Sequence, residues 1–196
     1  MSVGRLIASR TAMFCCDMQD KFRPSIRHFP AILSNANRML QSAKLLDIPL
    51  VVTEQYPKGL GSTCSELDID HCSINCPKTK FSMVVPEVKA YLEEKGTRKS
   101  IVLFGIEAHV CVQQTAIDLL TLGYDVHVIV DATSSRTDTD RVFAFQRMRQ
   151  AGVFLTTSES MILTLAGGSD HPQFRDLQRI IKTEAQDTKL LSFPTL

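Results

Sequence analysis

The sequence predicts an α/β fold, a three-layer α/β/α sandwich, from three observations. Short apolar runs alternate with segments of helical periodicity along the chain. The apolar runs are nearly continuous in hydrophobicity, as is typical of parallel strands covered on both faces. The chain has 196 residues, of which 44% are hydrophobic and 22% charged, and this suits one domain with a substantial core. We therefore predict a single domain over residues 1–196 with right-handed crossovers.

Strands are predicted where four or five mainly apolar residues follow one another. A further short strand is plausible at Ile74–Cys76, within an irregular stretch from Glu54 to Lys80 that is rich in Gly, Pro, Cys and Asp. Such a long loop in a compact domain is usually functional or partly structured. The other five predicted strands are Ala12–Cys16, Pro49–Thr53, Ile101–Gly105, Val126–Val130 and Val153–Thr156.

Helices are predicted between the strands, where apolar residues recur at spacings of three and four. Glycines supply stops at Gly123 and Gly152, Ser158 could cap a short helix and Pro172 could open the last one. The turn after the fifth strand is expected at Asp131–Arg136. The predicted helices lie at about 30–47, from Cys111 to Gly123, at about 139–151, from Ser158 and from Pro172.

Charge and hydropathy argue against two classes of partner. The 22 basic and 21 acidic residues give a net charge of +1, and no basic stripe is interleaved with aromatic residues, so we expect no nucleic acid partner. The apolar runs are much shorter than the roughly 20 residues that cross a bilayer, so we expect no membrane partner.

The cysteines and the first residues bear on the cellular compartment. Arg5 and Arg10 with no acid before Asp17 faintly resemble a mitochondrial presequence, but this stretch runs directly into the first strand. We therefore expect a cytoplasmic protein with reduced thiols, with mitochondria as the alternative. The six cysteines follow no compact disulfide framework and lie at positions 15, 16, 64, 72, 76 and 111.

Reactive residues follow strand ends, where open α/β sheets bind their ligands. Asp17 directly follows the first strand, Cys111 lies beyond Ile101–Gly105, and Lys78 follows the irregular loop. A thiolate is the reactive form of cysteine, and a helix N-terminus or a lysine favours it. Acyl transfer needs an activated nucleophile, a base and donors for an oxyanion. These three residues therefore form a candidate catalytic site.

Three motifs, CDMQDKF, KTKFS and GIEAHVCVQQTAIDLL, resemble in order and spacing the catalytic motifs of the isochorismatase-like cysteine hydrolase family. VHVIVDATSSR and FLTTSESMIL are similar to the rest of its domain, so the resemblance covers roughly residues 8–166. It implies a six-stranded parallel sheet in the order 3-2-1-4-5-6, with no cofactor and a homo-oligomeric assembly.

The resemblance also implies a role for each matching residue. Cys111 would be the nucleophile, Asp17 the general base and Lys78 the cation of a triad. A non-proline cis peptide would join Ile106 to Glu107, and the backbone N–H groups of Glu107 and Cys111 would form an oxyanion hole.

Each of these assignments has a plainer alternative. Asp17 could simply cap the turn after the first strand, without a catalytic role, and Cys111 could be a buried core thiol. Lys80 competes with Lys78, although the family spacing of a lysine, three residues and a serine favours Lys78.

Weaker signals bear on a substrate pocket and on a metal site. Phe22, Tyr56, Phe81 and His109 could line an apolar pocket, although phenylalanines at strand ends usually belong to the core and His109 could lie at the surface. No metal is predicted, because TEQYP lacks the histidine of the Asp-x-His pattern that some family amidases use. A zinc set is also disfavoured by its spacing; its members would be Cys64, His71, Cys72 and Cys76.

The sequence therefore predicts a cysteine-dependent hydrolase of a small amide-like or related carbonyl substrate, acting through a thioester. Isochorismate hydrolysis cleaves a vinyl ether and needs an acid rather than a thiol, so Cys111 favours acyl chemistry. The alternatives are a catalytically silent binding or scaffold protein that keeps the fold, and a redox-sensing thiol at Cys111. The identity of the substrate and the number of subunits do not follow from the sequence.

Overall fold

The chain folds around one sheet of six parallel strands in the order β3-β2-β1-β4-β5-β6, as predicted. The computed structural model describes residues 3–96 and 98–190, except for the side chain of Lys95. Residues 1, 2, 97 and 191–196 of the predicted domain lie outside the described residues. The strands are β1 (Thr11–Cys16), β2 (Leu50–Gln55), β3 (Ile74–Lys78), β4 (Ser100–Ile106), β5 (Asp125–Ser134) and β6 (Phe154–Thr156).

Helices cover both faces of the sheet. A π-helical turn at Ala108–Val112 precedes α4, and short 3₁₀ turns lie at Ala8–Arg10 and Asp20–Phe22. Among the described residues, none of the helices combines the length and the hydrophobicity of a membrane span. The helices are α1 (Phe29–Leu45), α2 (Pro57–Leu60), α3 (Pro86–Lys95), α4 (Gln113–Thr121), α5 (Asp138–Ala151), α6 (Ser158–Ala166) and α7 (Phe174–Lys182).

Two apolar cores lie on opposite faces of the sheet. All six residues of β1 are buried, because Met13 and Cys15 pack in one core while Phe14 and Cys16 pack in the other. The first core is closed by α1, α6 and α7, and the second by α3, α4 and α5. Burial on both faces explains why the strands are continuously hydrophobic in the sequence.

The prediction of a turn at Asp131–Arg136 is wrong at its start, because Asp131–Ser134 continue β5. The pairing with β4 shifts register between Leu103 and Gly105 before it resumes. The polar side chains have partners in this strand, since Asp131 accepts hydrogen bonds from the N–H (2.8 Å) and hydroxyl (2.7 Å) of Ser158. Ser158 therefore anchors α6 to the sheet, and Thr157 rather than Ser158 caps the helix by accepting from Ser160.

Two further elements differ from the sequence-based prediction. Helix α3 was not predicted, because its apolar stripe is narrow and its deeply buried residues are Val88 and Leu92. The stretch from Glu54 to Lys80 is more ordered than its composition indicates, since it contains the end of β2, the short α2 and the whole of β3. Strand β3 extends the predicted Ile74–Cys76 by two residues and so carries Lys78.

Candidate active site

The site lies where the strand order reverses, between the carboxyl ends of β1 and β4. Gly105 allows these two strand ends to approach closely. Its φ is +120°, and a Cβ at this position would lie 2.1 Å from the carbonyl oxygen of Cys16. A residue with a side chain cannot occupy this position without moving β1 away from β4.

Asp17 follows β1 directly and has a left-handed backbone conformation, with φ 50°. Aspartate adopts this conformation more readily than most residues. Only 1% of Asp17 is exposed. Its backbone N–H donates to the carbonyl of Thr53 at 3.1 Å, and the Thr53 hydroxyl donates to Oδ1 at 2.8 Å. Strand β2 therefore holds both the backbone and the carboxylate of Asp17.

Lys78, the last residue of β3, contacts the second oxygen of that carboxylate. Its buried Nζ lies 2.6 Å from Asp17 Oδ2 and 2.7 Å from Gln55 Oε1. The carbonyl oxygens of Phe81 and Lys80 lie at 2.9 and 3.1 Å from the same nitrogen. All four neighbours are acceptors, and they suit an ammonium, whose three N–H groups are shared among them. Of the two lysines weighed from the sequence, Lys80 has an exposed side chain and contributes only this carbonyl.

Burial and charge act against each other on this pair. Burial raises the pKa of Asp17, although Lys78 and the Thr53 hydroxyl oppose that rise. Burial lowers the pKa of Lys78, but attraction to Cys16, Asp17 and Cys111 outweighs it and leaves this pKa raised. The carboxyl is therefore a stronger base than an exposed aspartate, beside a fixed positive charge.

Cys111 lies in the π-helical turn that follows β4, and 7% of it is exposed. Its Sγ lies within 4.8 Å of a carboxylate oxygen of Asp17 and within the same distance of Cys16 Sγ. The helical turn begins at Ala108, so the prediction that Cys111 opens the helix is corrected by three residues. The Thr115 hydroxyl donates to the Cys111 carbonyl at 2.6 Å and accepts from the N–H of Met83 at 2.8 Å.

In the segment before Cys111, the Ile106–Glu107 peptide bond is cis. The Glu107 carboxylate points towards the segment after β5, where it accepts from the backbone N–H of Arg136 at 3.0 Å and from its guanidinium at 3.4 Å. The ring of His109 lies 3.0 Å from the Ser135 hydroxyl. These contacts join the π-helical turn to the end of β5.

The four residues considered for a pocket lie in different surroundings. Phe22 is half-buried and packs against the first core. Tyr56 and Phe81 are 55% and 51% exposed. The backbone N–H of Tyr56 donates to the carbonyl of Lys78, and the carbonyl of Phe81 accepts from the Lys78 ammonium. Tyr56 lines a cleft of about 420 Å³ with Lys78, whereas His109 lines a different cleft of about 450 Å³ against α5.

The cysteines do not form the zinc set considered from the sequence. Among the described residues, Cys64 lies close to Asp20 and Glu66, and both of these carboxylates pair with Arg23 at 2.8 and 2.6 Å. The other close group of possible ligands is Cys16, Asp17 and Cys111, where Lys78 already holds the carboxylate. A cation at either site would compete with a positive side chain.

Two residues that contact Asp17 or Lys78 were not found from the sequence. Both lie at the end of β2: Thr53 donates to Asp17, and Gln55 accepts from Lys78. The available signal was the polar TEQ that ends a buried strand, next to the strand that ends at Asp17. The strand order is needed to place these side chains beside the acid.

Comparison with known proteins agrees with this fold and these motifs. Residues 11–160 match the family model of the isochorismatase domain. Isochorismatase domain-containing protein 2 of Xenopus laevis is 52% identical over 190 residues, covering 97% of this chain and 92% of that protein. The solved MAR1 ribonuclease of Caenorhabditis elegans is 48% identical, with a TM-score of 0.92 and coverage of 98% of this chain and all of that one.

A more distant structure shares the fold. The YcaC gene product of Escherichia coli, an octameric hydrolase of unknown specificity, has a TM-score of 0.77 at 24% identity, covering 91% of this chain and 97% of that one. The residues that match the family model include all six strands, Asp17 and the π-helical turn that carries Cys111. The chain therefore belongs to the isochorismatase-like hydrolase family.

Proposed function

We propose that this protein is a cysteine-dependent hydrolase that acts on a small amide-like or related carbonyl substrate through a thioester. One observation carries the proposal: the Asp17 carboxylate pairs with Lys78 at 2.6 Å and lies within 4.8 Å of the Cys111 sulfur. A carboxylate in this position can take the proton of the thiol as the sulfur attacks.

In the first half-reaction Cys111 is the nucleophile. Asp17 takes its proton, the sulfur bonds to the carbonyl carbon, and the C=O electrons move to oxygen. The tetrahedral intermediate then collapses, and the leaving amine departs with the proton that Asp17 held. In the second half-reaction Asp17 takes a proton from water, and hydroxide attacks the thioester. The acid leaves, and the proton returns to the Cys111 sulfur.

Lys78 stabilises each of these charge distributions. Proton transfer from Cys111 to Asp17 moves one negative charge from oxygen to sulfur without changing the total charge of the site. The Lys78 ammonium is buried and lies 2.6 Å from Asp17, so its attraction is screened less than at a surface. We therefore assign Lys78 a stabilising role in both half-reactions.

The oxyanion would be bound by the backbone N–H groups of Glu107 and Cys111. The π-helical turn after β4 supports this assignment, because Glu107 directly precedes it and Cys111 lies within it. Loss of one such donor typically costs on the order of 3 kcal/mol of transition-state stabilisation.

Burial supports a small substrate. Cys111 is only slightly exposed and Asp17 almost completely buried, so a narrow acyl group suits the site better than a large one. The exposed rings of Tyr56 and Phe81 lie on the Lys78 side and provide apolar surface for the rest of the molecule. Phe22 and His109 stay in the proposal as further contacts.

The test is capture of the thioester. The protein is incubated with a panel of small primary amides and activated esters, and the intact mass is measured after acid quenching. We expect an acyl adduct on Cys111 that decays as product forms. The adduct and turnover should be absent in Cys111→Ala and present in Cys72→Ala, a half-buried thiol outside the site.

Labelling with iodoacetamide separates this proposal from a silent binding or scaffold protein. A hydrolase site should alkylate at Cys111 far faster than at the other five cysteines. Slow and uniform labelling of all six, with no acyl adduct from the panel, would reject the hydrolase and favour the scaffold.

A second candidate, hydrolysis of RNA, is supported by the description of the Caenorhabditis elegans relative as a ribonuclease. In that reaction Asp17 could activate a 2′-hydroxyl, and the thiol would not be needed. Labelled single-stranded RNA is therefore incubated with the wild type, Cys111→Ala and Asp17→Asn. Cleavage by the wild type and by Cys111→Ala, but not by Asp17→Asn, would favour the RNA reaction. No cleavage by the wild type would reject it.

We also propose a homo-oligomer and a cytoplasmic location, with mitochondria as the alternative. The octameric state of the Escherichia coli neighbour and the exposed Phe143 on α5, beside the cleft of His109, support assembly. Light scattering coupled to size-exclusion chromatography tests it, and a monomer at micromolar concentration would reject it. Cell fractionation tests the location.

A further inference from the structure

A second thiol lies beside the candidate nucleophile. Cys16, the last residue of β1, is completely buried and belongs to the same apolar core as Cys111. The two Sγ atoms lie within 4.8 Å of each other, and each lies within that distance of an Asp17 carboxylate oxygen. Both cysteines are unpaired.

Only one of the two cysteines at the end of β1 has this position. Cys15 is equally buried but packs in the core on the opposite face of the sheet. Successive side chains of a strand point to opposite faces, so Cys15 and Cys16 share their burial and their strand but not their access to Cys111.

The two thiols of the pair differ in their exposure to reagents. Cys111 is slightly exposed, whereas Cys16 has no exposed surface. Burial, the neighbouring Cys111 and the Asp17 charge raise the pKa of Cys16, so it stays a protonated thiol. An oxidant that enters the site therefore meets Cys111 first.

We propose that Cys16 is a resolving thiol, which forms a reversible Cys16–Cys111 disulfide after a hydroperoxide has oxidised Cys111. The inference rests on the nucleophilic Cys111 of the proposed function, but it requires no substrate. The disulfide blocks the nucleophile and protects it from irreversible oxidation.

The reaction has two steps. In the first, Asp17 takes the proton of the Cys111 thiol, and the thiolate attacks the OH oxygen of the hydroperoxide. The S–O bond forms as the O–O bond breaks, the other oxygen takes the proton that Asp17 held and leaves as an alcohol or water, and Cys111 becomes a sulfenic acid. In the second, the Cys16 sulfur attacks Cys111 Sγ, the S–S bond forms, and the S–O bond breaks. Asp17 passes the Cys16 proton to the departing hydroxide, which leaves as water. The thiols lose two electrons and the peroxide gains them.

The geometry requires a local movement. A disulfide has an S–S length of about 2.05 Å, so the sulfurs must approach by at most about 2.8 Å. Cys16 is fixed in the ladder between β2 and β4, whereas Cys111 lies in the π-helical turn outside the sheet. Rotation of the Cys111 side chain, with adjustment of this turn, therefore accounts for the approach.

The test uses the whole chain and hydrogen peroxide near equimolar amounts. After quenching with catalase and alkylation under denaturing conditions, intact mass and peptide mapping identify the products. We expect a species lighter by two hydrogens, with the peptides of Cys16 and Cys111 cross-linked. A dithiol reductant should restore at least four-fifths of the Cys111 thiol.

Three variants isolate Cys16. In Cys16→Ser and Cys16→Ala, peroxide should drive Cys111 to the sulfinic acid, and thiol recovery should fall at least fivefold. Cys15→Ala is the matched control and should behave as the wild type. Thermal unfolding confirms that each variant is folded. Wild-type recovery in both Cys16 variants, or a cross-link to another cysteine, would overturn the inference.

Failure of this inference is distinguishable from failure of the proposed function. Fast iodoacetamide labelling of Cys111 without any Cys16–Cys111 cross-link would overturn the resolving role and leave the hydrolase proposal intact. Slow labelling of Cys111, equal to that of the other cysteines, would overturn both.

Discussion

At the scale of single residues, one buried ammonium sets the charge that the acid and the thiol experience. Lys78 Nζ has four oxygen neighbours from four different residues, among them the Asp17 carboxylate. Removing this charge leaves the buried carboxylate without its ion-pair partner. That costs far more free energy than removing the partner of an exposed carboxylate. The protonation state of Asp17 therefore depends directly on Lys78.

The first prediction concerns Lys78→Met. Burial already raises the pKa of Asp17 and Lys78 opposes that rise, so the variant should raise this pKa further. Asp17 would then stay protonated to higher pH and could not accept the thiol proton. We expect the acid limb of the rate of Cys111 alkylation to move to higher pH, with a loss on the order of tenfold or more at pH 7.

Lys80→Met is the control for this prediction, because Lys80 has an exposed side chain only two residues away. Its pH profile should match that of the wild type. Equal shifts in the two variants would show that general surface charge, rather than the ion pair, controls the thiol.

The second prediction concerns the hydroxyl of Thr53, which donates to Asp17 Oδ1 at 2.8 Å in a completely buried site. Thr53→Val keeps the shape and the strand preference but removes the donor. Hydrogen bonds to charged groups contribute about 1.5–3 kcal/mol, so we expect a loss of stability of that order in urea denaturation. We also expect the acid limb of the Cys111 alkylation rate to move to higher pH. Thr53→Ser retains the hydroxyl and should recover most of both effects.

At the scale of elements, the site depends on how closely two parallel strands end side by side. Gly105 of β4 pairs with Cys16 of β1. Cys16 directly precedes Asp17, and Gly105 lies two residues before the cis-linked Glu107. A side chain at Gly105 would meet three backbone atoms of Cys16. The distance between the acid and the thiol is therefore set by a backbone contact.

The third prediction follows from this contact. Gly105→Ala should lose at least about 3 kcal/mol, because it adds a steric clash to an unfavourable φ of +120°. Gly152→Ala has a similar φ of +102° but nothing within 4 Å of its Cβ, so it should cost only about 1 kcal/mol. Urea denaturation measures both, and equal losses would show that the conformation alone, not the close approach, accounts for the effect at Gly105.

The elements also show what sequence could and could not predict. Continuous apolar runs predicted the strands well, because β1 is buried on both faces. The end of β5 was missed because DATS has the composition of a turn, and the partners that satisfy Asp131 and Ser134 lie on distant segments. Thr53 and Gln55 were missed for the same reason, since they contact Asp17 and Lys78 only through the order of the strands.

At the scale of the whole molecule, the segment after α7 joins both faces of the sheet. Gln186 exchanges hydrogen bonds with Asn35 of α1, at 3.2 and 3.3 Å. Two residues later the carbonyl of Thr188 accepts from Arg141 of α5 at 2.8 Å. Because α1 and α5 cover opposite faces, this segment ties the two cores together through backbone groups near the end of the described chain.

The last prediction concerns Arg141, which is completely buried and also donates to the carbonyls of Val130 and Thr133, both at 2.9 Å. Burial lowers its pKa to about 10, so the guanidinium is still charged at pH 7. Arg141→Met fills similar space but leaves three carbonyls without this donor, and each unsatisfied group costs about 1–3 kcal/mol. We expect a loss of about 3 kcal/mol or more in urea denaturation, with faster hydrogen exchange over residues 184–190.

Arg149→Met, on the exposed side of α5, should change stability by less than about 0.5 kcal/mol. If Arg141→Met lowered global stability without loosening residues 184–190, the buried guanidinium would stabilise the sheet alone, and the link between the two faces would depend on Asn35.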